Sequence, residues 1–238
     1  MKYITLELRK IKKTSMSYII FLFATLPILL MLLLHITSDE INKEFYTIIA
    51  NYSVIITMCL FTVSIILANY IITREYQEST IIYLFIAPVS RKKILASKFG
   101  LLFLILFTLS IFTYGCIFLL NVMLGEVNSD IFARYVAACL SGAFLFFLLM
   151  PLIVAIALWR KNFISSMLIS LVMLIFTSPF MFTQNFYAFP HLIPMAVSNN
   201  MLMTDNKLDI NYPLAFLILA LVGCLFTFVS VRLFEKKE

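Results

Sequence analysis

Residues 99–125 read FGLLFLILFTLSIFTYGCIFLLNVMLG, a run without Asp, Glu, Lys or Arg between Lys98 and Glu126. A helix needs roughly 20 apolar residues to cross a bilayer, so this one stretch is long enough. Its hydrophobic residues are continuous and do not alternate with polar ones, which rules against a strand of a membrane barrel. In lipid a segment must satisfy its own backbone hydrogen bonds, and only the helix does so alone.

Moving outward, the same reading repeats. Uncharged runs cover 14–38, 45–73, 135–159, 162–204 and 210–231. The run 162–204 has room for two helices, but Thr183, Gln184, Asn185, Pro190, His191, Pro194, Ser198, Asn199 and Asn200 make its second half too polar and too broken for another regular span. It is expected to be one helix followed by an external segment. The expectation is an all-α polytopic membrane protein in a single transmembrane domain over 1–238, with six transmembrane helices at about 17–36, 46–73, 99–124, 135–158, 162–183 and 212–232. Between them fall a cytoplasmic segment, 74–98, and an external one, 184–211. The composition agrees: 63% of the residues are hydrophobic and 13% charged, too little polar surface to coat a water-soluble globule.

Charge asymmetry orients the chain. Lys2, Arg9, Lys10, Lys12 and Lys13 precede the first span, and Arg74, Arg91, Lys92, Lys93 and Lys98 lie between the second and third. Arg160 and Lys161 lie between the fourth and fifth, and Arg232, Lys236 and Lys237 follow the sixth. Those segments hold all the basic residues except Lys43, Arg134 and Lys207. The positive-inside rule then places both termini in the cytoplasm. The formal net charge of +6 follows from this bias and fits anionic membrane lipid, not nucleic acid, because no basic stripe with interleaved stacking aromatics stands outside the spans. The first span is longer than the apolar core of a cleaved signal peptide and lacks a small-residue cleavage site before Asp39, so it is expected to remain as an anchor.

Residues 1–16 place Ile4, Leu8 and Ile11 at helical spacing among basic residues, the pattern of a short helix lying in the membrane interface; an irregular basic tail would set topology equally well. Pro27, Pro151 and Pro179 fall within spans one, four and five and favour kinks there. Phe180, Phe182, Phe186, Tyr187 and Phe189 crowd the start of the external segment, as interfacial anchors or as a lid over an outward exit. Cys59, Cys116, Cys139 and Cys224 all fall in spans without metal-ligand spacing and read as small apolar fillers.

The chemistry the spans lack is equally informative. They contain no Asp, Glu, Lys or Arg, the groups on which ion-coupled carriers rely. His35 and His191 are the only histidines, and there is no His-Glu-x-x-His, no Gly-x-Ser-x-Gly and no phosphate-binding loop. No metal or cofactor is expected, nor an enzymatic activity of the chain itself. A nucleotide that powers it must bind another polypeptide. Attention therefore returns to 74–98. Arg74, Glu75 and Glu78 begin this segment, an apolar stretch from Ile81 to Ile86 follows, Pro88 breaks it, and Ser90 is placed to cap a new helix. Arg91, Lys92 and Lys93 would sit at that helix's N-terminus, where the dipole disfavours cations, which points to an anionic partner, either lipid headgroups or an acidic protein groove. The same charges would serve as topology determinants in an ordinary loop.

These residues resemble the permease subunits of type 2 ATP-binding-cassette exporters. The resemblance rests on Glu75, Glu78, Ser79-Thr80, Leu84, Pro88-Val89-Ser90-Arg91 and Lys98, with Ser79 in place of the usual glycine. Leu6 to Lys13 resembles the family's interfacial elbow helix. With Pro27, that beginning is most similar to permeases that protect bacteria from lantibiotics and related antimicrobial peptides. The resemblance implies a pair of six-span permeases, identical or homologous, in the bacterial inner membrane, docked on cytoplasmic ATPase subunits. It further implies that Glu75, Glu78, Thr80, Pro88, Arg91 and Lys98 couple permease to ATPase. The expected function is ATP-driven export of a hydrophobic or amphipathic compound. The alternatives are a membrane-embedded enzyme and a non-transporting sensor or scaffold.

Overall fold

The computed structural model describes residues 14, 16–37, 45–78, 90–124, 129–203 and 208–235, apart from the side chains of residues 182, 184 and 185. Five helices come first: α1 (Met16–Thr37), α2 (Phe45–Gln77), α3 (Arg91–Leu124), α4 (Ser129–Arg160) and α5 (Phe163–Thr177). Short 3-10 turns over Ser178–Phe182, Gln184–Ala188 and Pro190–Leu192 lead into α6 (Ile193–Leu202), and α7 (Tyr212–Glu235) completes the bundle. Among the described residues there is no strand, and six helices are long and apolar enough to cross a membrane, the fifth being α5 extended to Met181. The expected all-α architecture with six spans is what the chain adopts. The interfacial helix expected over 1–16 lies almost wholly outside the described residues.

Hydroxyl-bearing residues do not interrupt these helices, because their side chains bond back to the preceding turn. Thr62 donates to the Met58 carbonyl, Thr73 to Asn69, Thr108 to Leu104 and Ser170 to Ser166, each at 2.8–3.0 Å. A hydroxyl satisfied in this way can face lipid or a dry interior without an unmet hydrogen bond.

Helices α2, α3 and α4 have 33, 34 and 32 residues. At 1.5 Å per residue each is about 50 Å long, well beyond a hydrocarbon core of about 30 Å. The surplus is why α2 runs on to Gln77 and α3 begins at Arg91, so both ends of the expected 74–98 segment are helical. Helices α2 and α4 are central, while α1, α5 and α7 keep a broad apolar face exposed.

Among the described residues two prolines sit in helix interiors, beyond the first turn, Pro27 in α1 and Pro151 in α4. Pro179 falls within the fifth span, as expected, but in the 3-10 turn at its end, after the α-helical ladder of α5 stops at Thr177. Ser178, just before the proline, keeps a right-handed helical backbone at φ −53° and ψ −35°, and it is the missing N–H of Pro179 that removes the next rung of the α ladder. Pro151 lies where α7 crosses α4 closely. A Cβ on Gly223 would come within 2.8 Å of the Leu148 carbonyl oxygen, and Ser230 Oγ donates to the Pro151 carbonyl at 3.3 Å.

The turn from α4 to α5 is tight. Lys161 adopts φ 52°, a left-handed conformation, and Asn162 caps α5 by accepting from the Ile164 N–H at 3.0 Å.

The segment 184–211, expected as an external excursion, contains α6, and α6 is packed into the bundle. Every residue from Ile193 to Asn200 is buried, Ser198 and Asn199 completely. Pro194 fits in its first turn, where the missing N–H leaves no hydrogen bond unmade.

Candidate functional site

Four of the six residues expected to couple to a partner lie at one end of the bundle, where α2, α4 and α7 finish and α3 starts. Thr80 and Pro88 lie outside the described residues. Glu75, near the end of α2, and Lys98, two turns into α3, are brought together. Lys98 Nζ lies 2.7 Å from Glu75 Oε2 and donates to the Ile71 carbonyl at 2.8 Å, and both side chains are almost completely buried. They act on each other, pinning together the two helices that bound 79–89.

Glu78 and Arg91 are different. Glu78 is exposed and accepts from Arg74 Nε at 2.7 Å, an i,i+4 pair on the last turn of α2. Arg91 Nη1 donates to the Glu235 carbonyl at 2.9 Å, and Lys92 lies 3.6 Å from the Glu235 carboxylate. The N-terminus of α3 is thereby tied to the C-terminus of α7. The cost of cations near a helix N-terminus is offset here, because they meet the carbonyls and acid at another helix's negative end. Lys161 sits over the Tyr76 ring and Arg160 over Trp159, which completes a rim of cations and aromatics at this end.

The second polar constellation surrounds α6 at the opposite half of the bundle, and sequence reasoning missed it. Tyr114 Oη of α3 is 2.7 Å from Ser198 Oγ, and Ser198 lies against Gly142 of α4. Ser53 Oγ of α2 bonds the Asn199 amide oxygen. The final carbonyls of α6, which no further turn can satisfy, accept from neighbouring helices: Leu202 from Tyr46 Oη at 2.8 Å, and Met203 from Arg134 Nη1 at 2.9 Å. A cation at a helix C-terminus also complements the dipole. Asn200 then pins the chain's return, donating to the Leu208 carbonyl and Tyr212 Oη and accepting from the Leu208 N–H.

One signal pointed to this arrangement. Ser53 and Tyr114 lie inside uncharged runs, where an unpaired hydroxyl is costly, and Ser198-Asn199-Asn200 offers partners within a long uncharged stretch.

The aromatic cluster before α6 splits. Phe186 is buried, whereas Phe180 is partly exposed and packs against Phe189 at 5.1 Å between ring centroids. His191 is buried with Nε2 2.6 Å from Thr177 Oγ1, and burial pushes its pKa down to about 4. It is a neutral packing residue that holds the turn against α5.

The family described as ABC-2 family transporter protein matches residues 3–177 of this chain. A comparison with curated proteins finds no match.

Proposed function

Because the chain belongs to the ABC-2 transporter family, we propose that it is an exporting permease driven by a separate cytoplasmic ATPase that engages residues 74–98. Membership makes it a transporter's multi-pass membrane subunit and implies an ATPase component. The finer reading rests chiefly on one observation, the buried Glu75–Lys98 pair. A force applied to the intervening 79–89 reaches α2 and α3 as one body, since the pair ties both helices just inside the segment. The Arg91 and Lys92 contacts to Glu235 extend that body to α7. In this reading Thr80, Pro88, Glu78 and Arg91 meet the ATPase, and Glu75 and Lys98 transmit what it does.

The basic end is cytoplasmic in this proposal, and α6 closes the opposite end. A second permease, the same or homologous, covers the part of α2 around Asn51 and Tyr52. Exposed Asn51 and Tyr52 on α2 support this, because an amide facing hydrocarbon is unfavourable and favours a protein or aqueous neighbour. The resemblance of residues 6–13 and Pro27 to immunity permeases supports a hydrophobic or amphipathic antimicrobial peptide as the exported compound, in a bacterial inner membrane.

The test is mild-detergent purification of the tagged chain, identification of co-purifying subunits, and ATP-dependent transport in vesicles. Recovery of a nucleotide-binding subunit whose hydrolysis drives flux is expected. Flux driven by an ion gradient through the purified chain alone would overturn the proposal.

A further inference from the structure

A cavity of about 570 Å³ opens on the face made by α3, α4 and α7, away from α2 and α5. Its walls are Phe103 and Phe107 of α3, Leu140 and Phe144 of α4 and Phe216 of α7, with Met201 of α6 behind. A second cavity of about 250 Å³ continues from it along the α3–α4 seam, sharing Phe107 and Leu140 and reaching Phe118 and Phe132. The two form one trough that runs from near the middle of α3 towards the end of the bundle opposite the basic one.

The lower cavity is walled almost wholly by apolar side chains, and its two hydroxyl groups already make hydrogen bonds within the protein. Ser141 Oγ donates to the Ala138 carbonyl at 3.3 Å, and Tyr212 Oη accepts from Asn200. The upper cavity includes Tyr135, whose buried hydroxyl has no hydrogen-bond partner among the described residues. The site is therefore apolar along its length, with the buried Tyr135 hydroxyl beside its upper end.

Its rim is continuous with the exposed apolar surface of membrane-crossing helices, including Ile111, Leu140, Phe144 and Phe216, so at this depth the available neighbour is hydrocarbon. The larger volume falls within the range of roughly 300–1,000 Å³ that encloses a compact organic ligand. Concavity separates it from the convex faces of α1, which lipid only wets.

We propose that this trough is a lipid site: it holds one acyl chain of a phospholipid from the leaflet opposite the basic end, with the ester end of the chain towards Tyr135. The occupant reaches α6 directly, through Met201 and through Val197, the residue next to Ser198. The proposal needs neither the ATPase nor the exported compound.

The experiment places the full chain in nanodiscs of phosphatidylethanolamine and phosphatidylglycerol containing a trace of phosphatidylglycerol with a diazirine on one acyl chain. After illumination, labelled positions are mapped by mass spectrometry. Labelling of Phe107, Leu140 and Phe144 several-fold above Leu29 and Leu33, which are at least as exposed on α1, is expected. Leu140→Trp fills the trough from a position that is already half exposed, and should bring labelling of Phe144 down to the α1 level while thermal stability is unchanged. Equal labelling of the two faces would overturn the proposal, since it describes lipid that only wets the protein. So would protection of the trough that grows with the protein-to-lipid ratio, which would make a second copy the occupant. If Leu140→Trp fails to fold, the ratio between the two faces of the unaltered protein still decides.

Discussion

Glu75 and Lys98 are buried partners 2.7 Å apart, each on a helix leading away from the same segment, 79–89. Removing either charge strands the other in a dry interior, which typically costs about 3–5 kcal/mol, whereas replacing both with apolar groups of similar volume is often neutral. Glu75→Leu or Lys98→Met alone should therefore lower the thermal midpoint in detergent sharply, and the double substitution should recover most of it. If the pair transmits motion, the recovered double variant will bind the ATPase and still transport poorly. Full transport by that variant would reduce the pair to a packing device.

Arg91 and Glu78 are expected to behave in the opposite way. Both are exposed or partly so, and single surface contacts of this kind contribute within about 1 kcal/mol. Arg91→Ala and Glu78→Ala should leave insertion and the thermal midpoint nearly unchanged while lowering ATP-dependent transport. Normal transport by both, with the ATPase bound normally, would remove them from the coupling surface.

The spans were legible because a bilayer imposes a length and a polarity on each run, and 99–125 alone meets both. What sequence could not give was partnership. Lys98 and Glu75 read as members of a polar surface segment, because charge in a sequence carries no sign of burial; only the continuation of α2 and α3 past the lipid brings them face to face. The polarity of Ser198, Asn199 and Asn200 argued for solvent, yet in the fold these side chains meet Tyr114, Ser53 and Leu208 inside the bundle. Arg134 looked like a stray external charge and is the cap of α6. Pro179 was read as a kink and marks a helix end, a distinction that depends on the turns after it.

Three glycines form a graded test of helix packing. At Gly223 a Cβ would meet the Leu148 backbone oxygen at 2.8 Å, and backbone cannot step aside. Gly223→Ala should destabilise by about 1–3 kcal/mol through overpacking of α4 against α7. At Gly142 the neighbour is Ser198 Oγ at 3.1 Å, a side chain able to shift slightly, so Gly142→Ala should be milder. At Gly115 nothing lies within 4 Å, and alanine should stabilise α3 by up to about 1 kcal/mol from helix propensity. Thermal midpoints of the three variants check the order, and a Gly223→Ala protein as stable as the parent would contradict the α4–α7 crossing.

The Tyr114–Ser198 bond should show coupling. Tyr114→Phe and Ser198→Ala each remove one side of a buried hydrogen bond, and such bonds between helices in a membrane bundle average about 0.6 kcal/mol in double-mutant cycles. The double variant should therefore be less destabilised than the sum of the singles by about that amount. Strict additivity would mean that the two hydroxyls do not depend on each other in solution.

His191 gives the fold a dependence on pH whose direction follows from its burial. The imidazole ordinarily titrates near 6.5, and in the fold its pKa is lowered to about 4. Above pH 6.5 the ring is neutral folded or unfolded and contributes no slope. As the pH falls from 6.5 towards 4, the unfolded chain takes up a proton that the folded chain refuses, so stability is lost, at up to about 1.4 kcal/mol per pH unit. Below about 4 both states are protonated and the loss is complete. His191→Phe keeps an apolar-sized ring, gives up the Thr177 contact and cannot take up a proton. Its midpoint should be offset from the parent's by a constant amount above pH 6.5, and the parent should lose ground to it steadily between pH 6.5 and 5. Parallel curves through that interval would show that His191 is free to protonate in the folded protein, contrary to its place between α5 and α6.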